Sequence, residues 1–535
     1  MHNLPLQDRV LGPILRRTAE READRPYLEV DGEVWSFADT YRIVRALSCS
    51  FRRLGIGKGD RIAMMLPNGA EFIFTWYACV NIGAVIVPIN TTYTGALLDY
   101  LLTDSGSRAL ILSADYLPAL ADTGAQTRAA LEWVGVVGAG VADRPAGPAR
   151  WLGYEELLAG DGADPEVACT FEDTQAIMYT SGTTGPSKGV VMPNGHFFSS
   201  TCTFLRAVNL SRDDVLFTPM PLFHGVASRL GALPCLMMGA KVVIARQFSA
   251  SRYFQQAAAC GATIGQTIFT MQTMLKAQPP GPFDRAHRMT RMFNASYDAG
   301  FEERFGVKLV EAYGMTETGL TLYTPFGERR EGSCGRIHED WELNIVDEQG
   351  LPVSRGAIGE IALRPKLPSI MMRSYINKPS ETLQTFADLW FKTGDYARAD
   401  EDGYVFFTSR KKERIRRRGE NISPYEIESV VISHPAVSDC AAVAVPAAEG
   451  EDDVRIVCEV SPASGLRPDE LLDWLQGRLP RFMTPRYVDF VAALPRTPNS
   501  KVEKYRLMAD GIGQTTWDRA TGGYVRAPQP VSGTA

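Results

Sequence analysis

The sequence predicts an α/β protein with a large multi-layer N-terminal domain and a small α+β C-terminal domain. Three observations carry this. At 535 residues the chain is too long for one hydrophobic core. Over roughly the first 170 residues, helical periodicity alternates with short aliphatic strands such as Arg61-Ile62-Ala63-Met64-Met65-Leu66 and Ala109-Leu110-Ile111-Leu112, as α/β layers require. Beyond the charged run Ser409-Arg410-Lys411-Lys412, about 100 residues carry helices and strands of their own.

Residues 72–89 contain no formal charge, which is long enough to raise the question of a membrane span. Asn81-Ile82-Gly83 interrupts the stretch and Pro88 nearly closes it, so it reads as a buried helix, a glycine stop and a buried strand at Ala84-Val85-Ile86-Val87. Residues 138–148, rich in Gly, Ala and Pro, read as a surface loop. After the strand Tyr404-Val405-Phe406-Phe407 the first domain ends, giving domains of 1–409 and 410–510. The second has helices at 424–433 and 469–479 and strands at 441–445 and 454–460. Residues 511–535, Gly-, Thr- and Pro-rich without periodicity, are expected to form a flexible tail. A net charge of −6 disfavours a nucleic-acid partner. Nine cysteines without a CxxC pair read as reduced residues of a cytoplasmic protein, and the start shows no secretory signal.

The most informative stretch is Tyr179-Thr180-Ser181-Gly182-Thr183-Thr184-Gly185-Pro186-Ser187-Lys188-Gly189, set between two apolar runs that read as short strands at a sheet edge. Glycines let main-chain N–H groups approach an anion, Ser and Thr hydroxyls add donors, and Lys188 adds positive charge, so the loop reads as a phosphate cradle. It is not the common P-loop, because Pro186 and Ser187 separate the glycine from the lysine and a strand follows. By composition alone it is equally a polar surface turn.

Five further segments follow in order: Pro221-Leu222-Phe223-His224-Gly225; Glu311-Ala312-Tyr313-Gly314-Met315-Thr316-Glu317-Thr318; Trp390-Phe391-Lys392-Thr393-Gly394-Asp395; Arg410-Lys411-Lys412-Glu413-Arg414-Ile415 running into Gly419-Glu420-Asn421-Ile422; and Leu494-Pro495-Arg496-Thr497-Pro498-Asn499-Ser500-Lys501. With the first loop they make the chain resemble the adenylate-forming superfamily over roughly residues 10–510. That superfamily comprises acyl-CoA synthetases, adenylation domains of nonribosomal peptide synthetases and beetle luciferases.

The resemblance implies an N-terminal adenylation domain, a mobile C-terminal lid, and the use of ATP, Mg2+ and coenzyme A. Thr180, Ser181, Gly182, Thr183, Thr184, Gly185 and Lys188 would grip the β- and γ-phosphates, and Thr180 and Glu317 would sit beside magnesium. Tyr313 would lie against adenine, with Gly314, Met315 and Thr316 on the phosphate side. Asp395 would bind both ribose hydroxyls, for which two acceptor oxygens suit, and Arg410 would add a second ribose contact. Lys501, preceded by Ser500 where the family usually has glycine, would bridge the substrate carboxylate and the α-phosphate. The lid would turn about Lys412 to present Gly419 and its neighbours for the thiol step, and His224 would stand near the acyl carboxyl and the thiol entrance. Taken singly these residues are unremarked: a lysine in a Pro/Asn/Ser loop is solvated, Gly-Asp is a turn, Glu317 is a capping carboxylate, and His224 beside Phe223 is packing.

Amino-acid-activating relatives carry an aspartate just after the His224 position, and Gly225-Val226-Ala227-Ser228-Arg229 has no acidic residue, which disfavours an α-amino acid. The implied acyl pocket is lined by 224–231, 269–274 and 293–300, where Tyr297 and Asp298 replace the small residues of many relatives. The second half looks most like the crotonobetaine/carnitine–CoA ligase branch, which implies a small or medium acid, cyclic, aromatic or polar. The implied acceptor is free CoA, the alternative being the phosphopantetheine of a carrier protein. Monomer and homodimer both stay open.

Overall fold

The computed structural model describes residues 4–138, 144–160, 162–163, 165, 167–180, 187–294, 297–410, 415–417, 420–422, 424–447, 452–476, 478–479, 481, 483–496 and 502–525. Two large sheets organise the N-terminal part. The first runs Ser374–Tyr375, Lys188–Pro193, Thr174–Thr180, Val85–Pro88, Arg61–Met65, Ala109–Ser113, Trp133–Val137 and Arg150–Gly153. Its strands are parallel from Thr174–Thr180 onward, and Lys188–Pro193 returns antiparallel as the second arm of a hairpin. The hairpin is not the sheet's edge, as the sequence suggested: Ser374–Tyr375 pairs with its outer arm.

The second sheet runs Lys308–Val310, Arg291–Phe293, Ile264–Gln266, Val215–Thr218, Lys241–Ile244, Pro26–Val30 and Glu33–Ser36, parallel except for its last pair. The helices Phe37–Arg53, Ala70–Asn81 and Asn194–Val208 share one core with residues of both sheets. Ala70–Asn81 buries every residue but Glu71, which explains the long uncharged run, and Gly83 at φ +70° turns the chain into the strand Val85–Pro88. Among the described residues no helix is long and apolar enough to cross a membrane.

Two smaller sheets follow: Ala312–Met315 with Gly319–Tyr323 and Arg336–Ile337, and a group built on Gly359–Pro365 and Trp390–Ala399. Val405–Arg410 pairs with Trp390–Ala399, so the chain up to Arg410 belongs to the first part. Ile415, by contrast, sits in a separate core with Ile422, Ile427 and Ile456. That core lies against the sheet Val437–Pro446, Asp452–Val460, Tyr487–Val491, Trp517–Asp518 and Gly523–Tyr524, with helices Pro424–Ile432 and Pro468–Leu475.

The last two strands correct the expectation of a flexible tail from residue 511. Polar pairing, invisible to hydrophobic periodicity, holds them: buried Thr516 donates to Asp489 at 2.7 Å, and Arg486 donates to Asp518 at 3.2 Å. The helix expected at 469–479 closes at Leu475.

Candidate active site

Thr180 and Lys188 face each other across the hairpin, and the Thr180 hydroxyl donates to the Lys188 carbonyl at 3.4 Å. Ser181, Gly182, Thr183, Thr184 and Gly185 lie outside the described residues. The exit of the loop is anchored where Tyr100 donates to the Ser187 carbonyl at 2.9 Å. Lys188 Nζ then lies 4.8 Å over the ring of Tyr375, whose hydroxyl donates to Glu317 Oε1 at 2.8 Å. Burial and the Glu317 charge raise the Tyr375 pKa, so the phenol stays a donor. Residues distant in sequence thus form one chain of contacts, lysine to phenol to buried carboxylate. Tyr375 is absent from the sequence reading; pairing of Ser374–Tyr375 with the strand that starts at Lys188 brings it here.

Glu317 lies in the hairpin between Ala312–Met315 and Gly319–Tyr323. The hairpin needs glycine twice. A Cβ on Gly314 would stand 2.2 Å from the Gly319 carbonyl oxygen, and Gly319 has φ +72°. On the strand before the turn, buried Tyr313 donates to Asp395 at 2.7 Å. Asp395 follows Gly394, at φ +74°, and its N–H donates to Thr393 Oγ1 at 3.1 Å. Arg410 is opposite Asp395 in register, with its side chain outside the description. The two residues assigned to adenine and ribose are therefore in direct contact, and Arg410 is on the adjacent strand.

His196 is a second residue that sequence reading missed. Its Nε2 lies 2.9 Å from the Thr316 carbonyl oxygen, which can only accept, so Nε2 carries the proton. Nδ1 then accepts from Arg229 Nη1 at 3.3 Å. Burial, and next the Arg229 charge, hold the imidazole neutral. His224 precedes the short helix Gly225–Ala227, with its ring 4.8 Å from that of Phe223. It borders a concavity with Asn90, Tyr93 and Tyr179.

Tyr297 and Asp298, which cast doubt on any acyl-pocket map, have other partners. Asp298 caps the helix Ala299–Phe305 by accepting from Phe301 N at 2.9 Å, and pairs with Lys276 at 2.7 Å. The Tyr297 ring lies under Arg329 at 4.5 Å. Behind them, Thr267, Asn294 and Gln272 form a buried hydrogen-bonded row, with Thr267 Oγ1 3.2 Å from Asn294 Oδ1 and Asn294 Nδ2 donating to Gln272.

Thr180 and Glu317 supply hard oxygen donors, the chemistry that suits magnesium alongside phosphate oxygens and water. No cluster of three or more acidic, His or Cys side chains that could hold a metal by itself occurs among the described residues. Gly419, Lys412 and Lys501 lie outside them.

Burial pushes the Glu311 carboxyl up from 4.5 to about 7, against the Tyr297 N–H and Arg329, which favour its charge. Between those values the folded chain holds a proton that the unfolded chain has lost, so stability falls as pH rises through the window. Glu311→Gln is expected to match the parent Tm below pH 4.5 and to exceed it increasingly up to about pH 7. A pH series of thermal melts with a constant difference would contradict this.

A profile of the AMP-binding enzyme family matches residues 15–376, and one of the AMP-binding enzyme C-terminal domain matches 426–501. Crotonobetaine/carnitine–CoA ligases of Salmonella paratyphi B and Salmonella typhi are each 31% identical over 495 residues, spanning 88% of this chain and 93% of theirs. Among solved structures, the ATP-bound MatB of Rhodopseudomonas palustris aligns at a TM-score of 0.80 and 25% identity, over 94% of this chain and 99% of that one. The anthranilate CoA ligase AuaEII in complex with anthranoyl-AMP aligns at 0.86, with 24% identity over 95% of this chain and 98% of its own, a likeness of fold.

Proposed function

The chain belongs to the AMP-binding enzyme family, and on that premise we propose which of its residues carry each step of the reaction. It is an AMP-forming carboxylic acid–CoA ligase. In the first step a carboxylate oxygen bonds to the α-phosphorus of ATP and the bond to pyrophosphate breaks, giving an acyl-adenylate. In the second the sulfur of CoA bonds to the acyl carbon and AMP leaves.

The observation that supports the residue roles best is the pair of contacts drawn from distant segments, Lys188–Tyr375–Glu317 and Tyr313–Asp395. A cation and a carboxylate joined through Tyr375 beside the 180–188 loop support the phosphate and magnesium roles, and an aromatic ring bonded to a carboxylate supports the adenine and ribose roles. Thr180 and Glu317 would hold magnesium, which would neutralise charge on the leaving pyrophosphate. Ser181, Gly182, Thr183, Thr184 and Gly185 cradle phosphate with Lys188; Gly314, Met315 and Thr316 line the α-phosphate side; and Arg410 backs Asp395 on the ribose. Lys501 brings carboxylate and α-phosphate together, and His224 borders the acyl carboxyl. Residues up to Arg410 form the ATP- and acid-binding domain, and the remainder to residue 525 forms a lid that swings to bring Gly419 toward the thiol.

The acid is small or medium in size, and free CoA is the acceptor. The protein works in the cytoplasm. The test is pyrophosphate release over a panel of carboxylic acids with and without CoA, read alongside loss of free thiol. The expected result is a slow release with at least one acid alone and rapid, thiol-consuming turnover when CoA is added. Release that CoA leaves unchanged, but that a phosphopantetheinylated carrier protein accelerates, would point to the carrier-loading alternative. Absence of release with every acid would overturn the ligase reading.

A further inference from the structure

Arg229 is the most unusual charge in the molecule. It lies in the short π-helical turn Ser228–Ala232, directly after the His224 turn, and is only 6% exposed. Buried arginines are held by carboxylates, because an unpaired guanidinium in the interior is costly. Among the described residues no carboxylate lies within ion-pairing distance of Arg229, and burial is the sole cause of its lowered pKa, with no acidic group opposing it.

Its hydrogen bonds are nearly all unmade. Nη1 donates to His196, a neutral ring already committed to Thr316. Nε is fully enclosed and donates to nothing, and Nη2 has no described partner. The Nε–Nη2 edge is the fork that meets a carboxylate through two parallel bonds. This edge faces the turn that carries His224: a Cβ on Gly225 would stand 3.4 Å from both Cζ and Nη2 and 3.6 Å from Nε. Gly225 puts no side chain against that edge. Through His196 and Thr316 the same guanidinium is braced against the residue preceding Glu317. The cation therefore lies between the His224 turn and the Thr316–Glu317 hairpin, the two segments that the proposed roles set around the acid.

Resting on the ligase reading, we propose that Arg229 is an anion-binding residue at the base of the acyl pocket and that it receives a second carboxylate, so the preferred acid is a dicarboxylic acid. The first carboxylate is activated at the α-phosphate; the second completes the ion pair that the folded chain lacks. An uncharged tail would leave the guanidinium buried and unpaired, which gives the pocket a reason to reject monocarboxylic acids of the same length. His196 serves as the positioning residue, holding the guanidinium plane through Nη1, and the second carboxylate reaches Nε as the Gly225 turn that covers that edge gives way.

The experiment uses a ladder of α,ω-dicarboxylic acids and benzene dicarboxylic acids, each beside its monomethyl ester, on the full-length chain. Pyrophosphate release gives kcat/KM, and calorimetry in the presence of a non-hydrolysable ATP analogue gives binding without turnover. At least one diacid is expected to exceed its half-ester on the order of 100-fold in the parent enzyme, and Arg229→Gln is expected to collapse that ratio toward one. Arg229→Lys, which keeps the charge but not the fork, should fall between. Parent enzyme that favours half-esters or monoacids overturns the proposal, whatever the variants do. So does a ratio unchanged in Arg229→Gln, and an equal loss for diacid and half-ester in a variant that still binds the ATP analogue would assign Arg229 to the reacting carboxylate instead. Arg229-dependent diacid binding without pyrophosphate release would leave this proposal standing and remove the ligase reading.

Discussion

Lys501→Ala is expected to stop adenylate formation, by about two to three decades in rate, while leaving conversion of a supplied acyl-adenylate to the thioester largely intact. The asymmetry follows from where charge meets charge. In the first step a carboxylate approaches an α-phosphate, and an ammonium bridging the two lowers the barrier; in the second a thiol attacks a mixed anhydride whose phosphate is already formed, and that ammonium has no such pair to join. Lys501 lies outside the described residues, but the chain on either side of it is tightly held. Arg496 pairs with Val502, and Glu503 N donates to the Pro495 carbonyl at 2.8 Å. Arg496 is in turn fixed by Asp439 at 2.5 Å and Glu459 at 3.4 Å. Residues 495–496 and 502–503 are thereby tied to the small domain. The checks are acid-dependent pyrophosphate exchange for the first step and thioester yield from synthetic acyl-adenylate for the second. Equal losses in both would remove the assigned role.

What could be read from sequence divides along physical lines. The run at 72–89 was legible because a helix buried on all sides, a glycine in the left-handed region and a buried strand each leave a local signature. Asp395 and Tyr313 were legible only through motif order, and their direct contact needed the fold. Tyr375 and His196 were illegible, since their roles come from long-range pairing: one by a two-residue strand that joins the edge of the first sheet, the other by a buried helix face against a hairpin. Asp298 could be read in sequence only as a departure from the small residues of many relatives; that it caps a helix and pairs with Lys276 depends on a helix starting at the next residue. The strands at 517–524 were missed because Arg486, Asp489 and Asp518 hold them by polar contacts that have no sequence period. The solitary charge of Arg229 could be noted in sequence only as the absence of an acidic neighbour; that it is buried with no carboxylate beside it among the described residues is a fact of three dimensions.

Glu317→Gln should reduce adenylation by about a hundredfold at limiting magnesium, with much of the loss recovered as magnesium is raised. The substitution preserves shape and one acceptor oxygen, so the hydrogen bond from Tyr375, now 2.8 Å, has a partner in the variant and the hairpin should keep its form. What disappears is the negative charge, in a setting where Glu317 is buried and its own main-chain carbonyl is fixed by Met372 N at 2.7 Å. A hard divalent cation loses affinity when a carboxylate becomes an amide, while ATP itself, which the proposed roles assign to Tyr313, Asp395 and the phosphate loop, should bind nearly as before. Two measurements separate this from a merely structural role. Calorimetric titration should show the difference in affinity between Mg-ATP and metal-free ATP shrinking in the variant. The half-saturating magnesium concentration for pyrophosphate release should rise. Tyr375→Phe provides the contrast, since it removes the phenol that orients the carboxylate but leaves the charge, and it should shift the magnesium dependence by less. A Glu317→Gln enzyme impaired to the same degree at every magnesium concentration would detach Glu317 from the metal and leave it as a brace between Tyr375 and the hairpin.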